Sequence, residues 1–102
     1  YLSLASMGVS AEYPLMGYGG NSCGSWIAGV EERNRPNSEP IDFYMGGSWV
    51  QGFVAGVGFS GLDVKMINVG DVEEFVTEYC LSNPLKIIDD AARALVSSLV
   101  IH

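Results

Sequence analysis

The sequence predicts an all-α fold: a small four- to five-helix bundle tied by one disulfide. Three observations predict it. Hydrophobic residues make up 48% of a chain of 102 residues, enough to fold but only for one domain with one modest core. Four segments repeat apolar residues at helical spacing, with Pro-, Gly- and Asn-rich breaks between them. The two cysteines, Cys23 and Cys80, stand at the start of the first segment and at the end of the third.

Residues 1–11, YLSLASMGVSA, are apolar and uncharged and end on small residues. They read as the tail of a signal peptide with its cleavage site, or as an N-terminal arm. Residues 12–22 carry Pro14 and three glycines and read as an irregular arm. Residues 23–102 form the single helical domain. Its first helix spans Cys23–Arg33, capped by Asn21 or Ser22, with Cys23, Trp26, Ile27 and Val30 on one face. A polar loop, Asn34–Pro40, leads into the second, for which Ser38 and Pro40 supply a cap and a first-turn proline.

The stretch Asp42–Phe59 is apolar over most of its circumference, as suits a buried central helix. Phe43, Gly46, Val50, Phe53, Val54 and Val57 trace its inner face, with Trp49 alongside. Gly52 and Gly56, four apart, make a flat spot where another backbone is expected to approach, so Gly52→Leu should damage folding. A strand over Phe53–Phe59 is the competing reading, disfavoured by the length of the run. In the connection Ser60–Gly70, Val64, Met66 and Val69 are expected under the core. Asp71 and Glu74 have capping-box spacing, which starts a third helix over Val72–Leu81 with Phe75, Val76, Tyr79 and Cys80 inward. Asn83 and Pro84 read as cap and first residue of a fourth helix reaching Ile101. Ile88, Ala92, Leu95, Val96 and Leu99 face inward there, and Lys86, Asp89 and Arg93 outward. Trp26, Trp49, Phe53, Phe75, Tyr79 and Leu95 are the expected structural core.

Chemistry is sparse. The sole histidine is His102, remote in sequence from either thiol, so a Cys/His nucleophile is not expected. No CxxC pair or zinc ligand set is present, and no metal or cofactor is expected. Glu31/Glu32, Glu73/Glu74 and Asp89/Asp90 are adjacent carboxylates, which point about 100° apart on a helix and read as solvated faces. Gly17–Gly20 and Gly46–Gly47 lack a P-loop lysine or a dinucleotide fingerprint. Trp26 and Trp49 would bear on a ligand only if they lined one pocket. A net charge of −7 disfavours nucleic acid and anionic lipid as partners. No apolar run reaches the roughly 18 residues of a membrane span, so no membrane insertion is expected. Two thiols in a domain this small point to one Cys23–Cys80 bridge if the compartment is oxidising, and otherwise to two separate buried thiols.

Three motifs carry a resemblance: Ser22-Cys-Gly-Ser-Trp26; Trp49-Val-Gln-Gly-Phe-Val-Ala-Gly56; and Tyr79-Cys80 followed by Asn83-Pro84-Leu85. Over residues 22–100 the chain resembles small exported bacterial helical proteins of the HdeA-like class, and within it the secreted-toxin immunity-type proteins and their uncharacterised relatives. The resemblance implies an all-α, disulfide-linked, periplasmic or secreted protein without catalysis. It implies one of two roles, neutralising a toxin by binding it or acting as an acid-stress chaperone. The few lysines depart from the chaperone pattern. The reading is therefore a non-enzymatic exported binding protein with an unidentified protein partner. A homodimer is compatible with it, and a small-molecule-binding module is a further alternative.

Overall fold

The computed structural model describes residues 15–101. The reading of residues 1–11, the first part of the 12–22 arm, and His102 lie outside the described residues. Four helices follow a 3-10 turn at Gly17–Gly20: α1 (Cys23–Arg33), α2 (Ile41–Phe59), α3 (Val69–Ser82) and α4 (Ile88–Leu99). Among the described residues there is no β-strand, only two isolated antiparallel bridges. The all-α bundle expected from the sequence is what forms.

α1, α3 and α4 each start where a polar side chain meets a free backbone amide. Ser22 accepts from the Ser25 amide at the head of α1, 3.0 Å away. Asn68 does the same for Asp71, at 2.8 Å, so α3 begins one turn before the expected Asp71 cap. Val69 and Gly70, both weak helix formers, had disguised that first turn. α2 begins directly after Pro40 with no side-chain cap.

The start of α4 differs from expectation. The Asn83 side-chain amide donates to the Tyr79 carbonyl and so closes α3 rather than opening α4. Pro84 and Leu85 lie in a turn. The first amide of α4 is held by Asp90, whose carboxylate accepts from the Ile87 N–H at 3.1 Å. Just before the helix, the chain pairs with the head of α1. Cys23 N–H donates to the Lys86 carbonyl (2.8 Å) and Ile88 N–H to the Asn21 carbonyl (2.9 Å).

α2 packs against the other three helices and the 3-10 turn. The core contains Cys23, Trp26, Phe43, Val50, Val76 and Leu95, together with Ile88, Ala91 and Ala92 of α4. Of the expected core residues, Trp26 and Leu95 are fully inside, whereas Trp49, Phe53, Phe75 and Tyr79 are partly buried and pack against its edge. Cys23 and Cys80 form the bridge, with Cα atoms 4.9 Å apart.

Three expectations are corrected. Asp89 is fully buried rather than outward, with its carboxylate 3.3 Å from the Arg93 guanidinium. Met66 and Val69 are exposed instead of tucked under the core; only Val64 packs against it. A Cβ at Gly52 or Gly56 would meet nothing within 4 Å, so the flat spot they form faces outward. The close approaches are elsewhere. A Cβ at Gly29 would lie 3.0 Å from Phe43 Cβ and 3.3 Å from its Cα, where α1 crosses α2. One at Gly46 would lie 3.3 Å from the Trp26 ring.

Candidate functional site

The two tryptophans do not share a pocket. Trp26 lies inside the bundle, its ring 4.8 Å from that of Phe43, and its indole N–H donates to Thr77 Oγ1 at 2.9 Å. Thr77 in turn donates to the Glu73 carbonyl. The buried indole is thus fully satisfied, as a core residue must be. Trp49 lies on another side of α2, stacked on Phe53 at 5.4 Å. Its indole N–H donates to the Met16 carbonyl at 2.7 Å, and the 3-10 turn closes over it, with Gly19 against the ring. A side chain at Gly19 would collide with the indole, so the glycine here is required by contact. Tyr18 adds a second tie by donating to Asp42 Oδ1 at 3.0 Å. That hydrogen bond, with the charge of Asp42 behind it, raises the Tyr18 pKa above its ordinary value of 10.0.

Catalytic constellations do not assemble. Among the described residues no group of three or more His, Cys, Asp or Glu side chains comes together as a metal site. Asp89 and Asp90 both lie near Arg93, each 3.3 Å from one of its nitrogens, and so form a structural ion cluster at the head of α4. Glu73 pairs with Arg33 at 3.4 Å, and Arg33 also stands 4.6 Å over the Phe43 ring.

A largely apolar surface feature lies at the α2–α3 end. There the connection after α2 is pinned to the tail of α4. Lys65 N–H donates to the Leu99 carbonyl and Ile101 N–H to the Asp63 carbonyl, both at 2.9 Å. Held this way, the connection stands off α2 and leaves a groove of about 290 Å³. Val54, Ala55 and Gly58 of α2 form one wall, Val64 and Ile67 the floor, and Val69 and Val72 of α3 the other wall, with Gln51 and Lys65 as its polar members. Met66 at its rim is 98% exposed, and Phe59, one residue beyond Gly58, is 93% exposed.

Beyond Ile67 a second depression, about 420 Å³, runs between α3 and α4 over Phe75, Leu95 and Leu99. Asp71, Glu74 and Glu78 line it at helical spacing and make an acidic ridge beside apolar ground. The sequence held a signal for this site in Val64, Met66, Ile67 and Val69, apolar residues broken only by Lys65 and Asn68. Reading those residues as core is what hid it.

Comparisons of this chain with protein-family models, with curated proteins and with solved structures gave no match. Among the described residues no helix is long and apolar enough to cross a membrane.

Proposed function

We propose that this chain is a non-enzymatic binding protein of an oxidising, exported compartment, periplasmic or secreted, which docks a protein partner at the α2–α3 end. The observation that carries this is the apolar groove of Val54, Val64, Ile67 and Val72, with Met66 standing almost wholly in solvent at its rim. Exposed apolar surface next to a formed depression is the usual mark of an interaction site. The adjoining acidic ridge of Asp71, Glu74 and Glu78, on a chain of net charge −7, favours a partner with a basic rim around an apolar anchor. The Cys23–Cys80 bridge fits export. Neutralisation of a toxin by covering it is the form of binding that the resemblance of the three motifs supports.

The test is capture of partners from a periplasmic extract, with and without Met66→Glu. The variant should keep its helix content and melting temperature and lose the partner. Retention of the same partner by the variant would place docking elsewhere. The acid-stress chaperone reading makes a different demand. A dye for apolar surface should bind at neutral pH if the groove is a standing dock. Binding that appears only near pH 2–3, together with suppression of client aggregation, would favour the chaperone.

A further inference from the structure

The outer face of α2 has no covering element among the described residues. Ile41, Met45, Ser48, Gly52, Ala55 and Phe59 recur there at helical spacing and are all exposed. We propose that this face is covered by a second copy of the chain, with the two α2 helices antiparallel across a two-fold axis near residue 50. This face meets the groove at Ala55, part of one groove wall, and at Phe59 beside it, but the inference does not rest on the function proposed for the groove.

Charge is the first argument. Residues 43–62 carry no ionisable acid or base other than Tyr44, in a chain whose net charge is −7. Two copies meeting through most other surfaces bring carboxylates together, whereas the middle of this face brings none and Glu39 and Asp42 lie only at its Ile41 end.

Shape is the second. A two-fold contact must be complementary to itself. Along the face the large side chains are at the ends, and the small ones at 48, 52 and 55 fill the middle and the second half. Antiparallel pairing sets Ser48 opposite the partner's Gly52, and Met45 opposite the partner's Ala55. It also sets Ile41 opposite the partner's Phe59. Each protruding side chain then meets a gap or another apolar side chain. The absence of any atom within 4 Å of a Cβ at Gly52 or Gly56 leaves room for a second backbone to approach. Antiparallel helices also place opposite dipole ends side by side.

Area is the third. Ile41, Met45 and Phe59 of the face, with Tyr44 flanking it, are 61%, 49%, 93% and 56% exposed. At about 200 Å² for a fully exposed large side chain, these four offer roughly 500 Å² per copy. Two copies would then bury about 1,000 Å², the lower limit for a specific interface, which predicts a weak, concentration-dependent dimer.

Sedimentation equilibrium over a wide concentration range tests this on the oxidised protein. The expected result is a reversible rise from monomer to dimer mass. Gly52→Glu, at a position with open space around it, and Ser48→Lys, at an exposed one, each put a charge into the contact, so each should weaken association at least tenfold while circular dichroism and melting stay unchanged. An equimolar mixture of the S48K and G52E chains should regain association, because the register sets the two substituted positions opposite each other. A wild-type chain that stays monomeric at every concentration would overturn the proposal, as would a dimer unaffected by either substitution. A mixture that fails to associate while the wild type does would overturn the antiparallel register.

Discussion

The two ends of α2 are built on opposite plans. At its first half, Phe43 and Gly46 are buried against Trp26, α1 crosses so closely that Gly29 has no room for a side chain, and the Cys23–Cys80 bridge lies in the same core. At its second half, Gly52 and Gly56 face open space, Phe59 projects into solvent, and the connection that follows leaves a groove instead of filling it. The same helix and the same residue types thus serve two purposes. The inner face of the first half holds the close α1 crossing, and the second half borders the groove left open for a partner.

The contrast can be broken at its strongest point first. The bridge encloses 57 residues of sequence separation. Loop-closure entropy values such a cross-link at roughly 4 kcal/mol, so Cys23→Ser with Cys80→Ser should unfold far more easily in a denaturant titration. Trp26→Phe comes next. It leaves Thr77 Oγ1 without its donor and opens space beside Gly46, and should lower stability by about 2 kcal/mol in thermal melting.

A matched pair of glycine substitutions sharpens the comparison directly. Gly29→Ala gains helix propensity but overpacks against the Phe43 backbone, for a net loss of about 1 kcal/mol or more. Gly52→Ala meets nothing within the monomer and should stabilise by up to about 1 kcal/mol. Equal effects at the two sites would remove the distinction between the ends.

The smallest effect concerns the 3-10 turn. The Tyr18 pKa is raised in the fold, so the stabilising contribution of its hydrogen bond is fully present below the unfolded value of 10.0 and is lost as pH rises through the higher folded value. Trp49 fluorescence should therefore change in alkali above pH 10, and Tyr18→Phe should abolish that step.

Much of this plan could be read in the residues. The first helix begins and ends as expected because Ser22 caps it and Cys23, Trp26 and Val30 mark its face. The cross-link was legible from where the two cysteines fall on their helices. What stayed hidden depended on direction. Phe43, Gly46, Val50 and Val54 are buried as their spacing predicts, but on a helix apolar over most of its circumference Gly52 and Gly56 looked like a second packing seam. Asp89 looked like a solvent residue on the outer side of α4. It pairs with Arg93, but its burial depends on what packs beside α4, which spacing does not encode. The groove was missed for a related reason. Hydrophobicity alone does not separate Val64, which reaches the core, from Met66, which does not.

The disulfide has one more consequence. Met66 and the exposed connection around it fall between Cys23 and Cys80 in sequence. A protease that cuts there would sever the peptide chain without parting the fragments, because the bridge still joins them. The cleaved protein would migrate as two pieces only after reduction. In a compartment rich in proteases, the segment most open to a partner is thus also one whose cleavage leaves the molecule in one covalent piece.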